Sequence, residues 1–216
     1  MKKILTFILV MTLTMIGIRT TANAAYDRKK AASYAQKYAS EYNSIYYRFN
    51  SDCTNFVSQC EAVAGVVSIV SSKLPSAPSW FSDTKLDNNP NSWYMIYKPR
   101  KGLAKDYYLY SRTWSMVTDF RNYFKKNNYS RSNAIANVKE VLTENWSNSI
   151  KKLKVGDVLQ YDTGDYRHSV IISQNGINGI RYCSHTQNRK NQLISSFYDY
   201  LKKHNIKSFY VISFAG

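Results

Sequence analysis

The sequence predicts an α+β fold in a single domain, with N-terminal helices packed on a C-terminal antiparallel sheet. Three observations carry this. Helical spacing of apolar residues dominates the first part of the chain, strict alternation with short polar turns dominates the last third, and nothing between them reads as a linker, a repeat or low complexity. The chain has 216 residues. Without its leader about 190 remain, enough for one domain with a sizeable core.

The leader is residues 1–24, which read as a secretory signal peptide: Lys2 and Lys3, an apolar run from Ile4 to Ile18, then small residues at Ala22-Asn23-Ala24. The run is short for a membrane span, which wants about 20 apolar residues, and no later segment comes closer. The expected mature protein, 25–216, is therefore without a membrane span and is secreted or associated with a bacterial cell wall. The formal charge of +16 falls to +13 once Lys2, Lys3 and Arg19 are removed. Such a protein is drawn to polyanions, and an anionic wall polymer is the expected partner of this kind. No nucleic-acid-binding motif and no long basic block is present, so no specific nucleic-acid partner is expected.

In chain order, Ala25 to Tyr47 has helical spacing through Ala31, Ala35 and Tyr38. A second helix starts at Ser51 or Asp52 as N-cap and runs to about Ala64, where Gly65 stops it, with Cys53, Phe56, Val57, Cys60 and Ala64 on one buried face. An irregular insert follows at about 66–113, holding Pro75, Pro78, Pro90 and Pro99 with Trp80 and Trp93. Its rings either line a cleft or plug the core beneath a loop. Trp114 to Phe124 and Ala134 to Trp146 again show helical spacing. Strands are expected at the end of 153–161, at His168 to Ser173, at Ile180 to Thr186 and at Lys207 to Phe214, with a short helix at Ser196 to Lys203.

The chemistry is concentrated at three residues. Cys53 lies in the first turn of the second helix, and a helix N-terminus and a nearby imidazole are the two commonest ways to lower a thiol pKa from about 8.5. His168 starts one strand and His185 lies in the next. Alternation puts Arg181, Cys183 and His185 on one face, and a hairpin would bring His185 near His168. The expected catalytic set is Cys53 as nucleophile, His168 as general base and His185 as the group orienting it. The backbone N–H of Cys53, with a side chain from Tyr46, Tyr47 or Asn55, would meet the oxyanion. The chain has three cysteines, so a secreted protein leaves at least one free or paired with another molecule. Cys60 reads as core, His204 as surface, and Asp157 and Asp162 as turn residues. A zinc site built from Cys53, His168, Cys183 and His185 lacks close ligand pairs at zinc-finger spacing, so neither metal nor cofactor is expected.

Four segments, Asp-Cys-Thr-Asn-Phe-Val-Ser-Gln (52–59), Gly-Asp-Val-Leu-Gln-Tyr (156–161), His-Ser-Val-Ile-Ile (168–172) and Ser-His-Thr (184–186), together resemble the putative amidase domain family of exported bacterial proteins. That family is similar to the NlpC/P60 and CHAP cysteine hydrolases. The resemblance implies a papain-like (NlpC/P60-like) fold over essentially all of 26–214 and a cysteine-dependent amidohydrolase or peptidase. It also implies peptidoglycan peptides as the substrate class. The insert before Trp114 departs from the compact NlpC/P60 core, and Ser184 and Asn188 stand as substitutes for His185. Two other readings share this fold: a non-catalytic wall-binding or adhesion module, and a secreted effector or toxin with a thiol active site.

Overall fold

The computed structural model describes residues 26–71, 73–100, 102, 105–126 and 135–215, so the expected leader lies outside the described residues. Helix α1 (Arg28–Tyr38) is capped by Asp27, whose side chain accepts from Lys30 N–H at 2.9 Å. It ends well before Tyr47, because the chain turns through 40–46 instead of continuing the helical pattern. Helix α2 (Cys53–Val63) begins and ends where its caps predict. Burial runs round its whole circumference from Cys53 to Glu61, so it is a core helix rather than a one-faced surface helix.

The insert carries its own small sheet, with β1 (Thr84–Asp87) parallel to β3 (Tyr107–Ser111) and β2 (Met95–Lys98) antiparallel to it, in the order β1-β3-β2. Trp93 is buried in the core while Trp80 is 73% exposed, so the two tryptophans of this segment have opposite fates. Two short helices follow, α3 (Arg112–Ser115) and α4 (Val117–Lys126). Trp114 ties them to α2: its indole N–H donates to Asn55 Oδ1 at 2.8 Å, and its carbonyl accepts from Ser58 Oγ at 2.7 Å.

The segment expected as a helix at Ala134 to Trp146 is instead strand β4 (Ile135–Leu142) followed by a 3₁₀ turn and the short helix α5 (Trp146–Ile150). Tertiary pairing overrides local spacing here. Ala136, Val138 and Val141 lie opposite Phe214, Ile212 and Phe209 of β9 (Ser208–Ala215).

With β5 (Val158–Asp162), β6 (Arg167–Gly176), β7 (Gly179–Ser184) and β8 (Arg189–Leu193), these strands make a six-stranded sheet in the order β4-β9-β5-β6-β7-β8. Its ladders are antiparallel throughout. Its two faces are covered by two cores. One holds Ala31, Ala35, Phe56, Val57 and Phe120 against Val158, Ile171 and Cys183; the other holds Phe197 and Leu201 of α6 (Ser195–Lys203) against Leu159, Val170, Ile172 and Tyr182. Burial on both faces explains the nearly unbroken apolar runs of β5 and β6.

The first face is pinned by ions. Arg28 pairs with Asp157 at 2.7 Å and also donates to the carbonyls of Val155 and Phe214. Gly156 has φ of 82°, and a Cβ there would stand 2.9 Å from the Tyr26 hydroxyl, so the turn before β5 requires glycine. Beside this cluster Glu61 is fully buried. Burial, reinforced by the Asp157 charge, raises its carboxyl well above the usual range.

Candidate active site

Cys53 opens α2 and is 7% exposed. It lines a cleft of about 710 Å³ whose walls include Phe49, Tyr110, Arg112, Met116, Thr118 and Arg167. One wall is thus built by the end of the insert and the other by β6. The backbone N–H of Ser169 points at the Cys53 sulfur, and Thr54 Oγ1 lies 3.9 Å from it. A polar chain continues behind: Thr54 Oγ1 lies 3.0 Å from Ser169 Oγ, which accepts from Gln160 Nε2 at 2.9 Å.

A helix N-terminus and an imidazole lead one to expect a thiolate, but the thiol of Cys53 is raised above its ordinary pKa. Burial is the main cause and the Asp52 charge adds to it, outweighing the Ser169 and Thr54 hydrogen bonds that favour the anion. His168 is lowered to about 4 by burial and by the Arg189 charge. Both groups therefore rest neutral at pH 7.

Strand alternation divides the expected set. His168 pairs with Tyr161 across β5–β6, their rings 6.0 Å apart, and so faces the core that holds Val170 and Ile172. Arg167 and Ser169 face the other way, toward α2. His168 is half-buried and shares no hydrogen bond with Cys53, although it is one residue from the N–H that meets the sulfur.

His185 goes elsewhere. Because Ile171 pairs with Cys183 and Ile172 with Tyr182, the strand face of His168 carries Tyr182 and Ser184, while Cys183 and His185 take the opposite one. Both His185 nitrogens are engaged, Nδ1 with Asp52 Oδ2 at 2.5 Å and Nε2 with the Tyr38 carbonyl at 2.7 Å, so the expected hydrogen bond from His185 to His168 is not made. Phe56 stacks on the imidazole at 4.0 Å, and Tyr42 meets it at 4.5 Å. Of the substitutes, Ser184 has a buried hydroxyl with no hydrogen-bond partner, and Asn188 accepts from the Tyr42 hydroxyl at 3.5 Å.

Asp52 was expected as a cap, yet its carboxylate makes no capping bond to the helix. Instead Oδ1 accepts from Phe49 N–H at 2.9 Å and Asn55 Nδ2 at 2.8 Å, while its own N–H donates to Thr186 Oγ1 at 3.1 Å. Thr186 has φ of 74°, a left-handed conformation that strains a β-branched residue by about 1–2 kcal/mol. Asn55 is consumed between Asp52, the Tyr47 carbonyl and Trp114, and neither it nor Tyr46 nor Tyr47 lines the cleft. Of the expected oxyanion donors, the Cys53 backbone N–H at the start of α2 remains. The Asp52 cluster could have been found from the Asp-Cys pair followed far downstream by Ser-His-Thr, had histidine been weighed as a partner for a buried carboxylate. Cys53, Cys60 and Cys183 are all free and buried, and no group of three or more His, Cys, Asp or Glu that could hold a metal occurs among the described residues. Within those residues no helix is long and apolar enough to cross a membrane.

These features define an α+β domain with a cleft-lining cysteine at a helix start, packed against a strand that bears a histidine. The chain belongs to the family described as "Putative amidase domain", which matches residues 25–212, and amide hydrolysis is the activity that family description names. It is 26% identical over 150 residues to "Uncharacterized protein YhbB" of Bacillus subtilis (strain 168), a match covering 68% of this chain and 37% of that protein. The chain thus spans well under half the length of this relative. No solved structure matches.

Proposed function

We propose that this protein is a secreted, papain-like cysteine amidase or endopeptidase that cleaves amide bonds in peptides of the peptidoglycan class. The observation that carries this reading is the position of Cys53: first turn of a buried helix, lining an open cleft, with its sulfur against the N–H of Ser169, the chain neighbour of His168. Cys53 Sγ attacks the amide carbonyl and His168, neutral at working pH, takes the thiol proton and later gives it to the leaving amine. The Cys53 N–H stabilises the tetrahedral oxyanion. Because thiol and imidazole both rest neutral, proton transfer accompanies attack instead of preceding it. His168 lies on the strand face opposite Ser169, so its action on the sulfur requires a rearrangement of the start of β6.

The test is incubation of the protein, and of its Cys53→Ser and His168→Ala variants, with purified peptidoglycan and its soluble peptides. New amino groups and fragment masses are followed. Release by the native protein and by neither variant supports the reading; release by Cys53→Ser at the native rate overturns it.

A second reading, a wall-binding module of the same fold, is favoured by the missing sulfur–imidazole hydrogen bond. It predicts sedimentation with peptidoglycan and no new amino groups with any variant.

A further inference from the structure

Three guanidinium groups stand at or beside the wall of the Cys53 cleft, and only two carboxylates answer them. Arg112 is spent on Asp119, with Nε at 2.9 Å from Oδ1 and Nη2 at 3.1 Å from Oδ2. Asp162 is shared. It takes Arg167 Nε at 2.9 Å and Arg121 Nη2 at 3.7 Å, and also accepts from the Thr118 hydroxyl. Arg121 is further held over the Tyr210 ring at 4.1 Å and its side chain is only 11% exposed, so it is fixed in the wall. Arg167 differs on each count. Its side chain is 56% exposed, it is held through Nε alone, and it stands two residues before Ser169 in β6, on the same strand face as Ser169, whose N–H meets the Cys53 sulfur. The Asp162 bond aims the guanidinium while leaving the paired Nη donors free, the arrangement that receives a carboxylate through two parallel hydrogen bonds.

We infer that Arg167 is a substrate-anchoring residue and that the cleft takes amides carrying a free carboxylate close to the bond presented to Cys53. This rests on the proposed amide hydrolysis and names its substrate class. Two residues along a strand span about 7 Å, so a carboxylate one to three bonds from the reacting carbon lies within reach of an Arg167 side chain folded over the cleft.

The experiment reads the cleft without requiring turnover. Folded protein at pH 8.5 is treated with iodoacetate or with iodoacetamide, and alkylation of Cys53 is followed by mass mapping; in both reactions the thiolate displaces iodide and forms one S–C bond. The ratio of the two rates is compared with that of a free thiol measured in parallel. The native protein should favour iodoacetate by about tenfold relative to the free thiol, and Arg167→Gln should abolish the preference while leaving the iodoacetamide rate unchanged. Arg112→Gln, which removes a guanidinium already committed to Asp119, should alter the ratio less than about twofold. Succinate should protect Cys53 from iodoacetamide in the native protein and not in Arg167→Gln, and succinamide should protect neither. A native ratio equal to that of the free thiol, together with no protection by succinate, overturns the inference. So does failure of both reagents to reach Cys53, since the cleft then admits no such ligand. If Arg167 passes while Cys53→Ser leaves peptidoglycan cleavage untouched, carboxylate binding stands and the catalytic reading falls; if Cys53 is essential and the ratio is flat, the reverse holds.

Discussion

His185 and Asp52, 133 positions apart in the chain, are joined by a 2.5 Å contact in which both side chains are 1% exposed. The contact fixes the residue immediately before the thiol. Asp52 in turn gathers Phe49 and Asn55 through its carboxylate and Thr186 through its backbone N–H, so the loop entering α2, the start of α2 and the segment after β7 are held by one residue.

Removing one partner should therefore be costly. His185→Ala leaves a buried carboxylate without its ring partner and should destabilise the fold by about 3–5 kcal/mol in urea unfolding. Asp52→Asn combined with His185→Ala should cost clearly less than the two singles added, and strict additivity in that cycle would show that the pair is not coupled.

The Cys53 thiol should alkylate slowly at pH 6 and accelerate through and beyond the pH at which a free thiol does so, because burial holds it protonated. Iodoacetamide rates between pH 6 and 10 check this. Fast labelling at pH 6 would mean that the helix terminus outweighs desolvation after all.

His168 gives the fold a dependence on acid. Its folded pKa of about 4 lies below the ordinary histidine value of 6.5, so the unfolded chain binds the proton more readily in that interval. Its contribution is complete above pH 6.5 and is lost as pH falls toward 4, about 2–3 kcal/mol in all. His168→Gln should flatten this part of a urea-midpoint profile and leave the curve above pH 7 parallel to the native one.

Glu61 acts with the opposite sign. Its folded pKa is raised, so its burial is tolerated below the ordinary carboxyl range and opposes folding as pH rises above that range. Glu61→Gln, which keeps the side-chain shape, should be near native in stability at pH 4 and more stable than native at pH 8. Equal stability at pH 8 would mean that the native carboxyl finds compensation on ionising.

Helix α2 and the strands β5 to β7 were legible because their boundaries carry local chemistry: Asp52 and Gly65 at the helix ends, Gly156 before β5, and Gly176 to Gly179 between β6 and β7. The class of element at Ala134 to Trp146 was not. Ala134, Val138 and Val141 fall at helical spacing, and the strand is imposed by pairing with β9, some seventy residues on. The candidate site divided in the same way. That Cys53 starts a buried helix could be read from its neighbours, whereas the face taken by each histidine depends on the pairing of Ile171 with Cys183, which no local pattern specifies. The protonation state of the thiol was hidden for a related reason: helix termini are visible in a sequence, but the depth at which they are buried is not.

The strand order β4-β9-β5 has a consequence in time. On a growing chain, β5 and β6 emerge before β9, yet β5 is bordered by β9 and β4 has β9 as its neighbour in the sheet. Until β9 arrives, two strand edges stay open, and the core that Phe209 completes on one face and the core that Ile212 and Phe214 complete on the other are unfinished. The sheet that backs Cys53 therefore closes late, through contacts distant in sequence.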